Sequence, residues 1–127
     1  MTAITESTLQ ACIEDYFDGI FHGDVAQLRR AFHPHARLTG IVGGEPYERD
    51  LDTYLNAVAE RVSPEAGGET RQMRIETTAV EGRIGHVHAR LAFMGKEYID
   101  FLSLIHDGQR WSIIHKNFTD VQPQRER

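Results

Sequence analysis

Tyr98, Asp100, His115 and Asn117 lie in two apolar segments of the C-terminal half, and Tyr16 sits in an apolar stripe near the N-terminus. A carboxylate that orients an imidazole is a recurring core of general acid–base sites, in which the ring moves the proton. Asp100 is flanked by Leu102 and Leu104 in alternation, so its carboxylate needs a partner, a shifted pKa or water in a cavity. These groups can act together only if the strands that carry them bring them to one face.

Two turn signals set the register. With Gly95-Lys96 as a two-residue turn, Phe93 faces Tyr98, Leu91 faces Asp100, Ala89 faces Leu102 and Val87 faces Leu104. With Asp107-Gly108 treated likewise, Leu104 faces Trp111, Leu102 faces Ile113 and Asp100 faces His115, at about 5 Å between Cβ atoms. One face then collects Val87, Ala89, Leu91, Phe93, Leu102, Leu104, Trp111 and Ile113 around Tyr98, Asp100, His115 and Asn117. The pair reads either as a proton-transfer unit or as a structural ion pair that fixes strand register. A slip of one residue would send Asp100 and His115 to opposite faces. The other face carries His86, His88, Arg90, Ala92, Ile99, Phe101, Ser103, Ile105, Ile114, Lys116 and Phe118. So apolar a surface predicts a partner, and a second copy of the chain is the simplest.

The elements that must position these residues follow from periodicity. Ser7 with Gln10 reads as a capping box, and Leu9, Ile13, Tyr16, Phe17 and Ile20 recur on one helical face. Gly23 ends that helix, and Asp24 with Gln27 caps a second that His33-Pro34 stops. Residues 36–42 read as a short strand closed by Gly43-Gly44. A third helix from about Asp50 presents Leu51, Tyr54, Leu55, Val58 and Val62, and a mobile connection over residues 64–70 follows. Strands over residues 71–80, 84–93, 98–105 and 110–118 form an antiparallel meander, and residues 122–127 read as a frayed tail. Helices first and strands afterwards define an α+β domain.

The remaining chemistry is sparse. His86-x-His88 places two rings on one side of a strand, yet zinc wants three or four ligands, so no metal is expected. His33-Pro34-His35 closes a helix end, where an imidazolium meets the negative end of the dipole, or sits at a cavity mouth. Glycines 40, 43 and 44 match no phosphate-cradling spacing. Cys12, the single cysteine, lies among Leu9, Ile13 and Phe17 and reads as a buried, inert thiol. The chain of 127 residues suits one domain, 1–127. Fourteen basic against nineteen acidic residues give a formal charge of −5, which argues against a nucleic-acid partner. The first residues carry no basic and apolar leader, and no apolar run approaches the ~18 residues of a membrane span. The expectation is a cytoplasmic protein without a membrane partner.

The order of elements resembles the nuclear transport factor 2-like superfamily, which includes ketosteroid isomerases, SnoaL-like cyclases and the putative lumazine-binding group. The likeness rests on Tyr16-Phe17-Asp18-Gly19, Gly23-Asp24, Phe32-His33-Pro34-His35-Ala36, the segment from Tyr98 to Leu104, and the segment from Asp107 to Phe118. It spans about Ser7 to Phe118 and is closest to the lumazine-binding group. The resemblance implies a cone-like, curved antiparallel sheet packed on three N-terminal helices and enclosing a pocket. It also implies dimerisation through the sheet, a small organic ligand and no cofactor, and it matches Tyr16 to a pocket-lining tyrosine. The isomerases' catalytic aspartate has no counterpart here, because Gly40 stands at the corresponding place and no acid lies between Arg37 and Gly44.

Three readings follow. The first is a binder of a small hydrophobic or polycyclic molecule, in a pocket of Tyr16, Tyr54, Phe93, Tyr98, Asp100, Trp111, Ile113, His115 and Asn117 with His33 near the rim. The second is a cofactor-free cyclase, dehydratase or isomerase in which His115 moves the proton, Asp100 orients it and Tyr16 stabilises the oxyanion. The third is a dimeric interaction module whose pocket is filled by side chains.

Overall fold

Two reciprocal bonds start the first helix. The Thr8 amide donates to Thr5 Oγ1 at 3.1 Å, and the Thr5 amide donates to Thr8 Oγ1 at 3.2 Å. This capping box lies two residues before the Ser7–Gln10 pair that the sequence suggests, with threonine in the place usually held by Glu or Gln. The computed structural model describes residues 3–121, so the expected tail lies outside the described residues. Helix α1 spans Glu6–His22 and α2 spans Val25–Ala31, the latter capped by Asp24 Oδ1 on the Gln27 amide as expected. Strand β1, Phe32–Val42, begins directly after α2, and the β1–β6 register breaks between Phe32 and Arg37. Pro34, which has no amide proton for a ladder, falls in that break.

Strand β2 (Glu45–Asp50) and helix α3 (Leu51–Glu60) follow, then β3 (Gln72–Glu81), β4 (Ile84–Phe93), β5 (Lys96–His106) and β6 (Trp111–Val121). The sheet order is β2-β1-β6-β5-β4-β3. The expected antiparallel sheet is in fact mixed, because β1 pairs parallel with β6 after the chain has crossed over through α3 and the meander. Strand β2 was not read from the sequence, since Glu45-Pro46-Tyr47-Glu48-Arg49-Asp50 is a polar, mostly exposed edge without apolar alternation. The connection over residues 64–70 is no loose link: Pro64 is buried, the Glu65 amide donates to Phe21 O at 3.0 Å, and the Glu69 amide donates to Pro64 O at 2.9 Å.

Both hairpin registers differ from the sequence reading, with opposite consequences. The β4–β5 turn is Met94-Gly95, with φ of 55° and 76°, and Phe93 pairs with Lys96. A two-residue turn of this hand needs positive φ at both central positions, so Met94 accepts a strained conformation that Lys96 was expected to share with Gly95. Moving a turn by one residue moves every partner by two, so the faces are unchanged: Leu91 opposes Tyr98 and Ala89 opposes Asp100. The β5–β6 pairing is another matter. Leu104 opposes Ile113, but Ser103 opposes His115, which leaves Ile114 as the extra residue of a β-bulge. Beyond it Leu102 opposes Lys116, and Asp100 opposes Phe118. The inward side of β6 is therefore Trp111, Ile113, Lys116 and Phe118, while His115 and Asn117 face outward.

The three helices cover one face of this sheet. Leu9, Ile13, Tyr16, Phe17 and Ile20 of α1 and Leu51, Tyr54, Leu55 and Val58 of α3 pack against Val87, Ala89, Leu91, Leu102, Leu104, Trp111 and Ile113. Cys12 joins this layer, its Sγ donating to Ala31 O at 3.5 Å, and burial pushes its pKa up to about 12.

Candidate functional site

The helical stripe of α1 points Tyr16 at the sheet where β5 presents Asp100, and both are buried, at 0% and 1% exposure. Tyr16 Oη donates to Asp100 Oδ2. Burial raises the Asp100 carboxyl above its ordinary value of 3.8, outweighing the nearby Lys116 ammonium and the Tyr16 hydrogen bond, which both favour the anion. Burial also lifts Tyr16 well above 10, with the Asp100 charge as the next cause, so the phenol remains a donor.

Lys116 reaches the same place because the bulge turns it inward. Only 4% exposed, its Nζ lies 4.5 Å from the ring centroid of Phe118, 4.9 Å from that of Tyr54 and 5.3 Å from that of Tyr16. Three ring faces replace part of its hydration. Among the described residues the ammonium makes no ion pair.

Beside this group lies a cavity of about 120 Å³. Its walls are Tyr16 of α1, Val42 and Tyr47 of the β1–β2 hairpin, Tyr54 of α3 and Arg61 just beyond it, Leu91 and Phe93 of β4, Tyr98 and Asp100 of β5, and Lys116 and Phe118 of β6. Tyr54 Oη and Arg61 Nη2 are buried there without hydrogen-bond partners among the described residues. The Arg61 guanidinium also sits 5.5 Å from the Phe93 ring centroid.

Of the residues singled out in the sequence, Tyr16, Tyr54, Phe93, Tyr98 and Asp100 line this one cavity. The other expected members lie elsewhere. His115 does not pair with Asp100: the bulge puts it on the outer face, where its Nε2 is 2.9 Å from Thr39 Oγ1. Asn117 lies beside it, with Oδ1 accepting from the same hydroxyl at 3.3 Å. Trp111 and Ile113 belong to the core at the far end of β6, and Trp111 Nε1 donates to Thr8 Oγ1 at 3.0 Å. His33 sits at the start of β1, its Nδ1 accepting from the His35 amide at 3.0 Å, and does not line the cavity. Lys116 and Phe118, expected on the outer face, are cavity walls instead. Arg61 and Tyr47 were missed because one follows a helix end and the other lies on the polar edge strand.

Gly40 explains an absence noted in the sequence. A Cβ built there would stand 1.8 Å from Phe118 O, so β1 and β6 leave no space for any side chain. His86 and His88 pack against Phe101 on the outer face, at 5.8 and 5.1 Å between centroids. Among the described residues no three His, Cys, Asp or Glu side chains converge as a metal site. No helix among them is long and apolar enough to cross a membrane.

Three helices on one face of a six-stranded mixed sheet, closing a small cavity, define the NTF2-like fold. Solved structures agree. An NTF-2 like protein of unknown function from Silicibacter pomeroyi DSS-3 is 24% identical, with 91% of this chain and 94% of that one covered and a TM-score of 0.81. NTF2-like proteins of unknown function from Methylobacillus flagellatus KT and Shewanella baltica OS155 are each 16% identical, with TM-scores of 0.84 and 0.82. The first covers 96% of both chains, the second 97% of this chain and 99% of its own. No curated protein matches the sequence. Within this fold the chain belongs to the family described as Putative lumazine-binding, which matches residues 5–119.

Proposed function

We propose that the protein binds a small organic molecule in the cavity walled by Tyr16, Tyr54, Phe93, Tyr98 and Asp100. The observation that carries this reading is a cavity of about 120 Å³ onto which Tyr54 Oη, Arg61 Nη2 and Lys116 converge beside the buried Tyr16–Asp100 pair. A mostly aromatic wall with a few placed polar groups is the usual form of a ligand site. The family description, which names lumazine binding, points the same way. A fragment screen read by methyl NMR tests it: compounds that bind should shift Val42 and Leu91, and Val42→Phe should abolish those shifts while the fold persists. If no compound moves those methyls, the reading fails. Shifts confined to the outer face would favour an interaction module instead.

A second reading is favoured by the Tyr16–Asp100 pair. A buried phenol held to a buried carboxyl that burial shifts toward its protonated form is a pair able to donate to an oxyanion, as a cofactor-free cyclase, dehydratase or isomerase needs. His115 faces Thr39 on the other side of the sheet, so the proton in such an enzyme would need another carrier. The assembly we propose is a homodimer through the outer sheet face, where Phe101 and Ile41 stand 47% and 46% exposed.

A further inference from the structure

The cavity holds donors that lack acceptors. Tyr54 is 4% exposed, yet among the described residues its hydroxyl has no hydrogen-bond partner, and the same is true of Arg61 Nη2. The Lys116 ammonium rests on three ring faces and makes no ion pair among the described residues. All three line one space of about 120 Å³. Leaving a buried donor unpaired is costly, and clustering three such groups is costlier when two carry positive charge. Asp100, the one carboxyl among the described wall residues, already accepts from Tyr16, makes no ion pair with Arg61 or Lys116 among the described residues, and is a single group beside two cations. The lumen therefore combines surplus positive charge, surplus donors and aromatic walls.

Taking the cavity as the ligand site, we infer that its ligand is a small organic monocarboxylate whose oxygens meet Arg61, Tyr54 and Lys116. Charge-assisted bonds to a carboxylate would satisfy all three donors and offset the two cations together, whereas a neutral acceptor leaves that charge uncompensated. Size narrows the class further. An apolar cavity of about 150 Å³ accommodates benzene, whereas drug-sized ligands occupy about 300 Å³ or more. The body of the ligand is accordingly one ring or a short chain, and the polycyclic candidates raised by the sequence do not fit the space described.

Calorimetric titration of the full chain with benzoate and its neutral isostere benzamide provides the test. Benzoate should bind at least tenfold more tightly than benzamide, and both Arg61→Met and Tyr54→Phe should remove most of that preference. Tyr54→Phe should melt at the same temperature or higher, since it deletes an unpaired hydroxyl. Equal binding of the two compounds, abolished for both by Val42→Phe, would overturn the carboxylate while leaving the cavity a binding site. A benzoate preference that survives Val42→Phe would place the anion elsewhere and overturn it as well. Binding of neither compound also overturns it, and the fragment screen then decides separately whether the cavity binds anything.

Discussion

At the scale of single residues, the site is governed by how a carboxyl and an ammonium are kept in a dry place without touching. Asp100 keeps its proton more tightly in the folded chain than in the unfolded one, because burial penalises the anion. Its contribution to stability is thus full below the ordinary value of 3.8 and is lost as pH rises through the raised folded value. Asp100→Asn removes the ionisation and keeps an acceptor for Tyr16. The variant should match the parent near pH 3 and become increasingly more stable than it as pH rises toward neutral. Urea melts across pH check this, and a constant difference at all pH values would contradict it. The sequence exposed Asp100 as a buried acid in need of a partner and Tyr16 as part of a helical apolar stripe, and only the family resemblance suggested that Tyr16 lines a pocket. It did not show that the nearby cation is Lys116, because a lysine in a strand is read by default as a solvated side chain.

At the scale of elements, one bulge decides which of two neighbouring side chains the cavity receives. The signal was present: Ile113-Ile114 is an apolar doublet in an alternating strand, and an extra residue there lets Phe118 continue the core face that Trp111 begins. Strict alternation from the Asp107-Gly108 turn overlooked it and exchanged His115 for Lys116. The Met94-Gly95 error was harmless because it preserved parity, which shows that faces are more legible than partners. The helices were more legible still, since caps and a 3.6-residue stripe are local, while the parallel β1–β6 join is not. Gly40 gives this scale its prediction. With Phe118 O 1.8 Å from where a Cβ would stand, Gly40→Ala must separate β1 from β6, and it should cost about 3 kcal/mol in a chemical melt. A loss under about 0.5 kcal/mol would mean the strands part easily.

At the scale of the whole molecule, two faces of one sheet are put to different uses. The inner face carries the helices and the cavity. The outer face holds Ile99, Phe101, Ile41 and the ring of His88, whose Nε2 is buried without a hydrogen-bond partner among the described residues. If two copies meet there, light scattering should give twice the chain mass, and Phe101→Glu should give the monomer with unchanged helical circular dichroism. A parent that scatters as a monomer at high concentration would refute the dimer. Tyr54 and Val42 lie on the other side, so the monomeric variant should still admit a ligand.

The single thiol has its own consequence. Cys12 sits between the first two helices with its sulfur turned to Ala31 O and its proton held up to about 12. Oxidants and electrophiles need the thiolate, which neutral solution cannot generate at that position. Redox damage at this residue therefore requires that α1 first lift away from α2, and sulfur chemistry here is a sign of lost architecture rather than a means of control.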